Sequence, residues 1–469
     1  MELSAFDDNF VNRSVNVSLL LVFDAILDAE RLHSTLEALV RSEHWNRISA
    51  ERKTRNGRMI LCQSENPDDS VSPIEYMHTV QKSRIFEHPK VAKLLGTPTV
   101  PTVLGTITDI QDTLCLSVEG FGKRLDKQLG LHVVSFLDAT SIILRWHHTL
   151  CDATGMGLIV QAWTAMLRSD PAGVPNIMST NVDHLADVGR NPPEPHYLES
   201  QRMTFLGSLA KLTYENLGGI FSGWETRAVC LPAAFLKNYR AHAEANLDYS
   251  GQGHKPEFLT DGDLISAWWA RLLISSQTST PSDRSVLINN AVSYRSALQP
   301  NPLPEIAGFL PNAVGFATAM ITVKDVLEKN VSYIACAVRD SILKARTRGQ
   351  IEAYASLLRN SPQQLFPLFG SASTSLVFVT NWSKSNFWAT TFSGAEAGDV
   401  ARDNTGQVGS GLPRIFAAWP TPNFMNGMII LGKDAVGNYW VNITLTAKLW
   451  NKFEPLMKKE TERIYASTS

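Results

Sequence analysis

Val and Leu dominate residues 15–23, a run that predicts a buried strand. Residues 28–40 follow with the pattern of an amphipathic helix, because Leu32, Leu36 and Leu39 recur at steps of four and three. A strand followed by a helix opens a layered α/β sandwich. Two further strands are predicted over 131–136 and 141–147, with Asp138-Ala139-Thr140 as the turn between them. A helix then starts near Asp152 and runs through Trp163 to Leu167, with Asp152 or Thr154 as its cap. Further along, Thr260-Asp261-Gly262-Asp263 reads as a capping start. It leads into a helix on which Leu264, Trp268 and Leu272 share one face. Strands are predicted over 286–292 and 376–382, a hairpin over 427–431 and 439–445 around Gly437-Asn438, and a closing helix over 448–465.

Between the two halves the periodicity fails. From Ser169 to about Trp224 the chain carries Pro171, Pro175, Pro192, Pro193 and Pro195 among many Asn and Ser, the composition of a crossover and not of a packed element. The 469 residues exceed what one ordinary core serves. The expected organisation is therefore a lobe over 1–168, a crossover over 169–225 and a second lobe over 226–469.

Composition narrows the classes of function. Lys and Arg total 43 against 45 Asp and Glu, a net charge of −2, so neither nucleic acid nor an anionic membrane is expected as a partner. No basic segment precedes an apolar one at the start of the chain, which argues against a signal peptide. The apolar run 19–23 falls far short of the ~20 residues of a membrane helix. Cys62, Cys115, Cys151, Cys230 and Cys336 are odd in number and form no CxxC pair, so the reading is reduced thiols in the cytoplasm and no metal site.

The chain has no GxSxG elbow, no phosphate loop, no GxGxxG turn and no HExxH helix. What it has is Trp146-His147-His148-Thr149-Leu150-Cys151-Asp152-Ala153-Thr154-Gly155, placed where a strand ends and a helix begins. Neighbouring strand residues point to opposite faces, so only one of the two histidines can face a given cavity. Of the 11 histidines, only His148 has Asp at the fourth position after it. Chance supplies that spacing on the order of half a time in such a chain; its position and the small residues Ala153, Gly155 and Gly157 add weight. A neutral imidazole there can take a proton from an alcohol. Asp152 could orient the ring of His148, or turn away and hold the junction through an ion pair. The alternative is a pair of hydrogen-bonded core histidines.

HHTLCDATG resembles the HxxxD motif of the BAHD acyltransferase superfamily, and most closely its fungal branch of trichothecene acetyltransferase-like enzymes. The likeness covers nearly the whole chain. Leu3-Ser4-Ala5-Phe6-Asp7 is similar to the segment before the family's first strand, and 258–267 to the helix whose end faces coenzyme A. Val292-Ser293-Tyr294-Arg295 resembles the segment of a structural arginine, and Gly308-Phe309-Leu310-Pro311-Asn312 sits where an aromatic-Gly-Asn turn is common. Thr380-Asn381-Trp382 is similar to the family's Thr-Ser-Trp strand. One departure is the loop that reads Asp-Phe-Gly-Trp-Gly in many plant members; here it is Thr391-Phe392-Ser393-Gly394.

The resemblance implies an α/β fold of two chloramphenicol-acetyltransferase-like lobes, mixed β-sheets flanked by helices, with a tunnel between them. It implies a monomeric O-acyltransferase that takes acyl coenzyme A, with acetyl first, as co-substrate and a small-molecule alcohol, a fungal secondary metabolite, as acceptor. No cofactor is permanently bound. His148 is the base, Thr380 the first and Trp382 the second candidate to stabilise the oxyanion. Asp152 is expected to pair with Arg295, with Gly155 as further structural support; the residues that bind coenzyme A are not identified. The rivals keep the fold: a condensation-type enzyme using a carrier-protein thioester or forming an amide, a recruited non-transferase, or a silent binding protein.

Overall fold

A strand whose side chains are apolar toward both faces has to lie in the middle of a sheet covered on both sides. Residues 19–23 meet that demand, each with no measurable exposure. The computed structural model describes residues 3–63, 71–114, 125–179, 181–245, 258–396, 411–423 and 425–468. Its strands are β1 (Asn16–Phe23), β2 (Glu51–Arg55), β3 (Arg58–Cys62), β4 (Glu75–Val80), β5 (Thr102–Thr106), β6 (Leu129–Ser135) and β7 (Thr140–His147). After the crossover come β8 (Trp224–Leu231), β9 (Ser285–Ser293), β10 (Val314–Thr322), β11 (Ser375–Asn381), β12 (Ile415–Thr421), β13 (Gly427–Lys433) and β14 (Tyr439–Thr446).

The result is a mixed α/β protein of two sheet-containing lobes. One sheet has five strands in the order β12-β1-β7-β6-β4, the other seven in the order β10-β9-β11-β13-β14-β8-β5, and β2 and β3 form a small hairpin apart. In the first sheet β1 runs antiparallel between β12 and β7. The helix Ala29–Arg41 presents Leu32, Leu36, Leu39 and Val40 to this core, and the Asp28 side chain caps its start by accepting from the Arg31 N–H. In the second sheet β11 is parallel to both β9 and β13. The helix Asp261–Gln277 covers this sheet and is buried on nearly every side.

Neither sheet is confined to one stretch of chain. β12, from the 226–469 segment, pairs along β1, and β5, from the 1–168 segment, pairs along β8. The boundaries drawn from the sequence thus follow chain order, while sheet membership follows edge pairing: each sheet closes one free edge with a strand from the other segment.

The crossover needs a correction. The five prolines that argue against a packed element all lie in its first part. The helix Phe205–Ser222 occupies the rest, capped by the Thr204 side chain on the Gly207 N–H and followed by Gly223. The described cysteines, Cys62, Cys151, Cys230 and Cys336, are free thiols, and Cys115 lies outside the described residues.

Candidate active site

β7 ends at His147, and the turn that follows separates the two histidines. The ring of His147 is buried, with Nε2 donating to the Leu125 carbonyl at 2.7 Å. Burial, the largest influence, pushes its pKa down to about 4, so it stays neutral and serves as a core hydrogen-bond donor. His148 donates its backbone N–H to the Val15 carbonyl at 3.0 Å and turns its ring into a cavity. Its Nδ1 is sealed from solvent, which leaves Nε2 as the nitrogen open to the cavity. Burial lowers the His148 pKa below the ordinary imidazole value, while its own backbone carbonyl and the Asp152 carboxylate pull it back up.

Three residues to which the sequence reading gave no role hold this turn. The Asn312 amide donates to the His148 carbonyl at 2.9 Å and to Asp7 Oδ1 at 2.7 Å. Arg47, itself buried, donates to the carbonyls of Thr149 and Leu150, each at 3.2 Å, and pairs with Asp7 at 3.1 Å. The backbone of 148–150 is thus fixed by Asp7, Arg47 and Asn312 from three separate segments. Asp7 and Asn312 fall inside the quoted family-like segments, which was a usable signal. Arg47 carried none.

Asp152 directs its hydrogen bonds away from the imidazole. Oδ1 accepts from the Gly155 N–H and from Arg295 Nη2, each at 3.0 Å. Oδ2 accepts from Arg295 Nη1 at 2.8 Å and from the Ala313 N–H at 3.1 Å. Two charge-assisted bonds and two backbone donors satisfy a carboxylate that would otherwise be costly to bury. Arg295 also donates from Nε to the Phe309 carbonyl at 2.9 Å and from Nη2 to the Pro311 carbonyl at 2.6 Å. A single ion pair therefore ties the start of the helix Ala153–Leu167 in one lobe to the 309–313 segment of the other.

Gly155 belongs to this junction. A Cβ at that position would lie 2.2 Å from the Leu310 carbonyl oxygen and 2.6 Å from the Cys151 Cβ. Both neighbours are held, so neither can yield. We predict that Gly155→Ala costs about 1–3 kcal/mol of stability through overpacking. Chemical denaturation measures this, and an unchanged midpoint would refute the close-packing role.

The cavity has a volume of about 300 Å³ and is walled by both lobes. Val17, Trp146, His148 and Ala153 line it from the first sheet and its helix, and Ala291, Phe316, Phe378 and Thr380 from the second sheet. Thr380 and Trp382 are two residues apart and both line the cavity. Trp382 is also packed, with ring centroids 6.3 Å from Trp146 and 6.2 Å from Phe387. The helix Asp261–Gln277 begins at the cavity edge, where Gly262 approaches the Asn381 side chain. The Thr391–Gly394 loop instead supports the first lobe. Phe392 is buried between Phe23 and Trp163, at 5.0 and 5.1 Å, and Gly394 adopts φ +94° against the Leu167 carbonyl.

No family model matches the chain. It is 30% identical to a Penicillium decumbens protein named transcriptional regulator calD, over 98% of this chain and 95% of that one. It is 27% identical to acetyltransferase adrJ of Penicillium roqueforti, over 95% and 93% of the two chains. Among solved structures, F. sporotrichioides TRI101 in complex with coenzyme A and T-2 superposes with a TM-score of 0.67 over 97% and 96% of the two chains, at 15% identity. At that identity the superposition speaks for the fold alone.

Proposed function

The chain belongs to the fungal branch of the BAHD acyltransferase superfamily, and on that premise we propose that it transfers an acyl group from a coenzyme A thioester to a hydroxyl of a fungal secondary metabolite, with His148 as general base. Acetyl is the first candidate for the group transferred. The observation that carries the proposal is the division between the two histidines. His147 is spent on a buried carbonyl, whereas His148 offers one nitrogen to a cavity that both lobes build.

With its proton on Nδ1, neutral His148 accepts the acceptor's hydroxyl proton at Nε2. The alcohol oxygen bonds to the thioester carbonyl carbon, and the carbonyl oxygen takes up the negative charge. Thr380 is the first candidate donor to that oxygen, with the Trp382 indole N–H second. The tetrahedral intermediate collapses, the carbon–sulfur bond breaks, and protonated His148 returns its proton to the leaving thiolate. No protein acyl intermediate forms, so both substrates are bound together. Coenzyme A enters on the side where the helix Asp261–Gln277 meets Asn381, and the alcohol from the other. We assign the enzyme to the cytoplasm as a monomer. Among the described residues no helix is long and apolar enough to cross a membrane.

The relative named as a transcriptional regulator favours a second reading, in which the fold serves regulation without transfer. Intact His148, the cavity beside it and the satisfied Asp152–Arg295 junction support transfer instead. Thiol release from acetyl coenzyme A, driven by a panel of fungal terpenoid, polyketide and alkaloid alcohols, tests the two. Acceptor-dependent release is expected, and its absence together with no calorimetric binding of any acyl coenzyme A would favour regulation. The pH dependence adds a sign. A base is lost where it protonates, and the His148 pKa lies below the ordinary value of about 6.5. The acid limb of kcat/KM should therefore fall below pH 6.5, and a limb at or above 7 would contradict the burial of the base.

A further inference from the structure

The helix Phe205–Ser222 leaves a row of large apolar side chains exposed to water. Its inward face carries Leu212 and Gly219 together with Ser208 and Lys211, at exposures of 4% and 6%, and Lys211 is paired with Glu215 at 2.8 Å. Its outward face carries Leu206, Leu209, Tyr214, Leu217, Ile220 and Phe221. Four of these are far more exposed than a folded chain leaves large apolar side chains: Leu206 at 73%, Tyr214 at 68%, Ile220 at 72% and Phe221 at 84%. At ~100° per residue the six fall within an arc of roughly 140°, so they form one stripe and not scattered points. A stripe of this kind marks a binding surface.

Beside it lies a groove that identifies the partner. Tyr214, Leu217, Gly218 and the Lys211–Glu215 pair of the helix line one wall, and Arg284, Lys448 and Lys452 line the rest among hydroxyl and amide side chains. Lys448 and Lys452 are exposed and stand one turn apart on the helix Ala447–Thr468. The Arg284 Nε is itself buried and, among the described residues, has no hydrogen-bond partner. An apolar stripe bordered by cations matches the two layers of an anionic bilayer surface, acyl chains beneath phosphate headgroups. A second copy of this chain would bring the same cations against each other.

We propose that this face docks the protein on an anionic phospholipid membrane. The Phe205–Ser222 helix lies in the interface, with its stripe among the acyl chains, and Arg284, Lys448 and Lys452 meet the headgroup phosphates. This reverses the expectation of no membrane partner drawn from the near-neutral charge, because the cations come together only in the fold. The groove also adjoins the cavity: Met425 and Thr444 line the cavity, and Asn426 and Thr446 line the groove. An acceptor that partitions into lipid would thus be held beside its site. The docking proposal stands on the stripe and the cations, independently of acyl transfer.

The test is co-flotation of the full chain with vesicles of phosphatidylcholine alone or mixed with phosphatidylserine. Binding is expected to the mixed vesicles and to weaken as salt is raised. Ile220→Ser with Phe221→Ser should weaken it at least tenfold, and Lys448→Ala and Lys452→Ala about fivefold each. All these variants should keep the wild-type melting temperature, since their side chains are exposed. The proposal is overturned by no binding to mixed vesicles or by binding that survives the double serine variant. It is equally overturned if the wild type is a dimer that the serine variant dissociates, with no affinity for vesicles.

Discussion

His148→Ala should lower kcat by about a thousandfold with KM nearly unchanged, because a positioned general base contributes ~10²–10⁴ to rate and little to ground-state binding. The variant should fold, since the bonds that hold the turn are made by the backbone of residue 148. The backbone carbonyl of residue 148, held by Asn312, and its N–H, bonded to Val15, both remain. His147→Ala should behave in the opposite way. It removes the hydrogen bond to Leu125 and lowers stability by about 1 kcal/mol, while kcat changes only a few-fold. Steady-state kinetics with acetyl coenzyme A and an active acceptor separate the two variants. A folded His148→Ala protein that keeps most of its transfer rate would remove the base from the mechanism.

What was legible in the sequence was local. β1, β7, β11 and the β13–β14 hairpin are apolar-rich runs bounded by turn residues, and they stand within one or two positions of where the pattern put them. His148 and Asp152 share one short segment, so their spacing survives in a single sequence. What was hidden depends on distance. β12 has the composition of a strand, but its place beside β1 comes from pairing with residues some four hundred positions earlier. Asp7 and Asn312 are 305 residues apart, and only folding makes them one clamp. The helix Phe205–Ser222 is masked in the sequence for a different reason. Its largest apolar side chains face outward, its core-facing positions mix Ser208 and Lys211 with Leu212 and Gly219, and nearby prolines set the tone of the segment. The chemistry of the junction was readable because ion pairs and glycines leave residue types behind. The Arg47 contribution was not, since an arginine that bonds only carbonyls and one aspartate resembles any other arginine in a sequence.

Arg295→Ala should be among the most destabilising single changes in the protein, by about 3–5 kcal/mol, because it leaves Asp152 buried and charged with half of its donors gone. It also releases the carbonyls of Phe309 and Pro311, so the segment that carries Asn312 loses its anchor. Arg295→Lys should recover little of this. An ammonium cannot supply two parallel N–H groups to the carboxylate together with donors to two carbonyls. The functional consequence follows from the geometry of the clamp and not from polarisation of the base. If Asp152 and Arg295 only hold the junction, the double replacement Asp152→Leu with Arg295→Met should regain part of the stability lost by either single change. Transfer should remain measurable in that double variant, because His148 is intact. If Asp152 instead worked by polarising His148, the double variant would be as inactive as His148→Ala however stable it became. Urea denaturation and initial rates on the two single variants and the double one decide between these outcomes. An Arg295→Ala protein with the wild-type midpoint and rate would remove the junction from the account altogether.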